Sequence, residues 1–173
     1  MKGHALLLEA VRQVIAENRS VHVLIVGDGP ERDRLESLAR RWGIERNVHL
    51  VGKQHPIEPW YACMDVYVCS SRYEGMSNAV LEAMACGLPV ISTDVGDHAQ
   101  VIRADRDGWI VPPDDADALC KTIRSAVSDA RLRRRFGASA RRRSERLSLR
   151  KTAAAYEGFY AELVGDHHDP HPG

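Results

Sequence analysis

Two carboxylates flank the start of one helix. In the stretch Y-E-G-M-S-N-A-V-L-E-A-M-A-C-G (73–87), Glu74 and Glu82 are separated by seven residues, and Ser77 lies between them. Ser77 is a good helix N-cap, so Asn78 and Ala79 begin the helix with backbone N–H groups that have no partner inside it. Such a helix end carries about half a positive charge and suits a phosphate. Gly75 lets the backbone come close to a ligand. Each carboxylate can accept two hydroxyl hydrogen bonds, which matches the diols of a sugar or a ribose. The two acids and the helix tip together point to a polyhydroxylated ligand attached to a phosphate. Each acid alone also has a plain structural reading: Glu74 as a solvated loop acid, and Glu82 as an acid within an otherwise buried helix, satisfied by a neighbouring side chain or amide.

The surrounding pattern says what positions these residues. Amphipathic or helical stretches at 5–17, 30–43, 79–87, 115–129, about 130–147 and 151–164 alternate with short apolar runs at 21–27, 47–52, 65–71, 88–94 and 108–113. Short helices or turns are expected at 56–64 and 96–103. The tail 165–173 is expected to fray. Strand–helix alternation with nearly continuous apolar strands predicts an α/β fold, a Rossmann-like parallel sheet with helices on both faces. Such sheets bind ligands beyond the carboxyl ends of their strands, where Tyr73–Ser77 follow the strand at 65–71. No linker or internal repeat divides the chain, so one domain is expected over 1–164, followed by the tail.

At 173 residues the chain is long enough for one sizeable core. Its composition, 44% hydrophobic and 28% charged, is that of a folded soluble protein. Lys+Arg and Asp+Glu balance at 24 each, so net charge favours no class of partner. No apolar run approaches the roughly 20 residues needed to cross a bilayer, and no secretory leader is visible at the amino end. Cys63, Cys69, Cys86 and Cys120 form no C-x-x-C pair and read as small core residues in a reduced, cytoplasmic setting.

The E-G-M-S-N-A-V-L-E-A-M-A-C-G-L-P-V-I run resembles the signature of the group 1, or family 4, retaining glycosyltransferases of the GT-B fold. The resemblance continues through K-G-H-A-L-L-L-E-A (2–10), L-I-V-G-D-G-P-E-R-D-R-L-E-S-L-A (24–39), N-V-H-L-V-G (47–52), D-V-Y-V-C-S-S-R-Y-E-G (65–75), L-P-V-I-S-T-D-V-G-D (88–97) and D-G-W-I-V-P-P-D-D-A-D-A-L-C-K-T-I (107–123). All stand in the order of that family's C-terminal, donor-binding domain, and together they cover about residues 2–164. The resemblance implies transfer of a sugar from a nucleotide-diphosphate sugar to an acceptor hydroxyl with retention. It implies that Glu74 contacts the donor sugar and that Lys2 supports the diphosphate leaving group. Backbone amides around Gly75, Met76, Ser77 and Asn78 would hold the sugar diphosphate, and Glu82 the ribose. Gly27 and Gly29 would lie on a strand-end loop beside the nucleotide, with Gly52 and Lys53 near the base. No cofactor and no metal are implied.

The same resemblance implies what this sequence lacks. The family's donor domain normally begins with a strand ending in Gly-Arg, central in the sheet order 3-2-1-4-5-6, and this sequence starts after it. Either the sheet carries a gap or its neighbouring strands close up. The N-terminal, acceptor-binding domain is also absent. A nucleotide-sugar-binding module, or a fragment without activity alone, is therefore the alternative to a complete enzyme.

Other motifs carry less. G-D-G-P-E-R (27–32) resembles a dinucleotide fingerprint, but Arg32 stands where the third glycine belongs. Asp105-Arg106-Asp107 has the spacing of a metal-holding D-x-D yet reads as a turn before Gly108. His167, His168 and His171 fall in the tail. Residues 131–151 hold ten basic side chains against one acid. They read as the solvated face of one or two helices, with peripheral contact to a membrane as the alternative. A single aromatic, Phe136, stands among the arginines, which argues against stacking on single strands, and no nucleic acid is expected.

Overall fold

The structure is a computed structural model that describes residues 2–147 apart from Met76. In chain order it contains α1 (His4–Glu17), β1 (Val23–Val26), α2 (Arg32–Arg41), β2 (Val48–Gly52), α3 (Glu58–Ala62) and β3 (Tyr67–Cys69). There follow α4 (Asn78–Ala85), β4 (Val90–Thr93), α5 (His98–Val101), β5 (Gly108–Val111), α6 (Ala116–Ser128) and α7 (Ala130–Arg146). The predicted alternation is present throughout this span. The helix expected at 151–164, the tail with His167, His168 and His171, and Met76 lie outside the described residues.

All strand pairings are parallel. Side chains on successive strand residues alternate between faces, and the two cores follow that alternation. Val68, Ile91, Trp109 and Val111 pack into one core with Leu7, Leu8, Val11, Val14 and Ile15 of α1 and Leu119, Cys120 and Ile123 of α6. Tyr67, Cys69, Val90 and Ile110 pack into the other, with Val80 and Met84 of α4 and Ala140 of α7. Two helices are capped by aspartates. Asp115 caps α6 by accepting from the Ala118 amide at 2.8 Å, and Asp129 caps α7 by accepting from the Leu132 amide at 2.9 Å.

The sheet is in two pieces. One is β1–β2 and the other β3–β4–β5. Of the two alternatives the sequence left open, the gap is the one found. Between β1 and β3 lies a cavity of about 700 Å³, lined by Val23 and Ile25 of β1, Val68 of β3, Leu7 and Val11 of α1, and Ile123 of α6. Helices α1 and α6 bridge the break, because their apolar faces contact both pieces in one continuous core. The expectation that all four cysteines are core residues is corrected. Cys69 and Cys120 are buried, whereas Cys63 and Cys86 are exposed and all four are free thiols. Cys86 follows α4 on the side that faces solvent, where a small side chain has no packing to make.

Candidate ligand site at the strand ends

The site grows from the carboxyl ends of the strands. β3 ends at Cys69, and Ser70, Ser71 and Glu74 follow in the loop that leads to α4. The Ser70 hydroxyl donates to the carbonyls of Lys2 and Gly3 at 3.2 and 3.0 Å, which ties the start of α1 to the end of β3. Gly3 is required there: it has φ 69°, and a Cβ on it would stand 1.8 Å from the Ser70 carbonyl oxygen. Helices α1 and α4 therefore begin close to one loop, and no side chain caps either of them. Their N-terminal amides add positive potential at the same place.

Lys2 and Glu74, 72 residues apart in sequence, form an ion pair in that loop. The Ser71 hydroxyl also donates to Glu74 Oε1, at 3.0 Å. Glu74 is thus neither solvated nor isolated; its side chain is 14% exposed. Burial pushes its pKa up, but the hydrogen bonds from Lys2 and Ser71, with the nearby charges of Lys2 and His98, outweigh that and hold it below the usual carboxylate value. A lowered folded-state pKa gives a contribution to stability that is present above the ordinary carboxylate range and lost as pH falls through the lowered value. Urea unfolding of the natural sequence and of Glu74→Gln is therefore expected to differ at neutral pH and to converge as pH falls below the ordinary carboxylate range. A difference that did not change with pH would mean that the carboxylate is not held by Lys2.

Glu82 requires a correction. It does not lie within a buried helix: α4 turns Asn78, Glu82, Ala85 and Cys86 to solvent as a single stripe. The Tyr61 hydroxyl, from α3, donates to Glu82 Oε2 at 2.9 Å, leaving Oε1 open. Burial and that hydrogen bond push the Tyr61 phenol well above its ordinary pKa, so it remains a donor at any ordinary pH. The Ser77 backbone is extended, as an N-cap requires, but its side chain makes no capping bond, and Ser77 is buried while Asn78 and Gly75 are exposed. The first amides of α4 are left for another acceptor.

The other half of the site lies where β1 and β2 end. The Gly27 amide donates to the Gly52 carbonyl at 2.8 Å, and the Lys53 amide donates to Asp28 Oδ2 at 3.0 Å. The two loops that contain Gly27, Gly29, Gly52 and Lys53 are thereby joined. Arg32, which spoils the dinucleotide fingerprint, donates to the Leu50 carbonyl at 2.9 Å and pairs with Glu36 at 3.2 Å. It serves the loop's own structure. Asp105-Arg106-Asp107 is a turn: Asp105 has φ 59°, and Asp107 is fully buried and bonded to Arg103. Among the described residues there is no cluster of three metal-ligating side chains.

Several residues that shape the site were not singled out by the sequence. The Thr93 hydroxyl donates to the Ser71 carbonyl at 2.6 Å and so fixes the loop that carries Glu74. Arg72 pairs with Asp114 across the loops that follow β3 and β5. Gly96 lies against the backbone of Glu74 and Gly75. His98 is buried at 1% exposure, with Nδ1 2.7 Å from the Ser92 hydroxyl and Nε2 without a partner among the described residues.

Comparison with known proteins places this geometry. Residues 1–129 match the family described as glycosyl transferases group 1. The lipopolysaccharide core biosynthesis glycosyltransferase LpsE of Rhizobium meliloti is 34% identical over 163 residues, covering 94% of this chain and 46% of that protein. A glycosyltransferase from Rickettsia africae superposes with a TM-score of 0.85 at 24% identity, over 94% of this chain and 45% of that one. HepE of Anabaena, solved with UDP, superposes with a TM-score of 0.81 at 23% identity, over 95% and 45%. The chain spans less than half the length of these proteins. Among its described residues no helix is long and apolar enough to cross a membrane. With a GT-B half-fold and a family match over most of its length, the chain belongs to the group 1 glycosyl transferases.

Proposed function

We propose that the chain is the donor-binding part of a retaining glycosyltransferase that uses a nucleotide-diphosphate sugar. One observation carries the reading: Glu74 and Lys2 meet at a strand-end loop where two uncapped helices begin. A diphosphate there would find Lys2 and the amides of Gly75 to Asn78 without any ion to recruit. In the reaction the bond between the anomeric carbon and the diphosphate oxygen breaks, and a bond to the acceptor oxygen forms with configuration kept. Negative charge grows on the departing diphosphate, and fixed donors aimed at it are worth most at that moment. Glu74 orients the sugar through its hydroxyls. Glu82, one oxygen held by Tyr61, offers the other to the ribose. Lys2 and the helix tips, rather than a metal, meet the leaving group's charge. That HepE was solved with UDP supports a uridine nucleotide among the candidates.

Calorimetric titration with UDP-, GDP- and ADP-sugars tests this on the natural sequence and on Glu82→Ala. One nucleotide series is expected to bind, and Glu82→Ala to weaken it about 10- to 100-fold, the loss of one or two hydrogen bonds to a charged group. Binding without turnover would favour a nucleotide-sugar-binding module. No difference between the two proteins would remove Glu82 from the site.

A further inference from the structure

A second cavity lies away from the strand ends. Arg103 and Arg106, from the turn before β5, and Arg142, Arg143 and Arg146, from α7, surround a volume of about 220 Å³ together with Ser139. On α7 the spacing Ser139, Arg142, Arg143, Arg146 is i, i+3, i+4, i+7, so one helical stripe faces the turn. The turn leads into the amino end of β5, at the edge of the sheet opposite to Glu74 and Gly27. This is not part of the proposed donor site.

The cluster is built as well as charged. Arg103 is fixed by a two-point contact with buried Asp107, both bonds at 2.8 Å, and by Ser139 at 3.2 Å. Arg143 donates to the carbonyls of Gln100 and Val101 at 3.0 and 3.3 Å, where it caps the end of α5. Among the described residues Asp107 is the sole carboxylate bonded to any of the five. Glu145, on the same helix, is turned to Arg141 at 4.0 Å, and Arg106, Arg142 and Arg146 have no ion-pair partner among the described residues. Two anchored guanidiniums and three exposed ones around one small volume repel each other unless an anion lies between them. Planar guanidinium forks match the oxygens of a phosphate in particular. The volume corresponds to about seven waters at about 30 Å³ each, enough for a hydrated phosphate or diphosphate and too small for a whole nucleotide sugar.

We infer that this arginine cavity binds a terminal phosphate or diphosphate group, separately from the nucleotide-sugar site. The group can belong to a soluble phosphorylated compound or to a lipid headgroup, and the two sources are distinguishable. Lys2→Met first removes the donor-site cation, so that pyrophosphate titrated into this variant reports the second cavity. Adding Arg142→Gln and Arg146→Gln is expected to weaken pyrophosphate at least about tenfold, since each lost charge-assisted contact is worth about that factor. Adding Arg131→Gln and Arg134→Gln instead lowers the charge of α7 equally but away from the cavity, and is expected to change affinity less than about twofold. Sedimentation with vesicles containing phosphatidic acid, against vesicles of phosphatidylglycerol, gives the source. Capture by phosphatidic acid alone, lost with the cavity pair, assigns a lipid phosphomonoester. A response to pyrophosphate with no vesicle capture assigns a soluble ligand. Equal losses in the two double variants, or no pyrophosphate binding by Lys2→Met, would overturn the inference. Melting curves verify folding, which all four exposed or half-exposed arginine positions should leave intact.

Discussion

Gly96→Ala is expected to weaken nucleotide-sugar binding by about 30- to 5,000-fold. Gly96 has φ 54°, and a Cβ built on it would stand 2.1 Å from the Glu74 carbonyl oxygen and 2.8 Å from that of Gly75. A left-handed alanine costs about 1–2 kcal/mol, and overpacking of this kind about 1–3 kcal/mol more. The helical core around Val101 and Ile102 holds one side of the contact, while Arg72, Tyr73 and Gly75 on the other side are exposed, so the loop is the part that yields. Glu74 moves with it, away from Lys2. Calorimetry on a protein whose melting is otherwise little changed is the measurement. Unaltered affinity would show that the Glu74 loop does not hold the donor.

The second large effect concerns the break in the sheet. Joining a five-residue β-branched segment directly ahead of Lys2 is expected to raise the melting temperature by 10 °C or more, a gain of at least about 3 kcal/mol for a chain of this size. The geometry fixes where such a segment would run. Lys2 and Gly3 are bonded to Ser70, just past the end of β3, so a strand ending there lies between β3 and β1 and parallel to both. In a sheet one residue occupies about 3.3 Å by 4.8 Å by 10 Å, roughly 160 Å³. At that rate the cavity of about 700 Å³ takes between four and five residues. The new strand would pair on both edges and cover the half-buried Leu24, Val26 and Val68, which line the gap. Hydrogen exchange should then slow at Val23–Val26 and Tyr67–Cys69 together. A melting temperature that did not rise, or protection on one edge alone, would mean that the two half-sheets do not frame a strand.

The strands and helices were legible because β-branched runs ended in glycine or turn residues and helices repeated their apolar positions at three and four. The gap was legible only as one of two outcomes, since nothing in the sequence says whether α1 and α6 can hold two half-sheets apart. Glu82 shows where pattern reading fails. Its neighbours on the exposed stripe of α4, Ala85 and Cys86, are small and apolar, so the sequence of a half-exposed helix reads like that of a buried one. The same effect hid the exposure of Cys86. Lys2 and Glu74 were named separately, but their pairing depends on the chain folding back over 72 residues, which no local signal encodes. Thr93 and Gly96 act through contacts with a loop 20 or more residues upstream, and their types alone did not mark them.

The contact between Lys2 and Glu74 also has a thermodynamic consequence for any diphosphate that docks there. Such a ligand draws the ammonium away from the carboxylate and sets fresh negative charge beside it. Both changes make Glu74 a stronger base, so docking near its titration range should take up protons from solution. The measured heat would then vary with the ionisation enthalpy of the buffer, and affinity would rise as the solution is made mildly acidic. A ligand that carries only the sugar, without phosphates, would leave the ammonium in place and show neither effect.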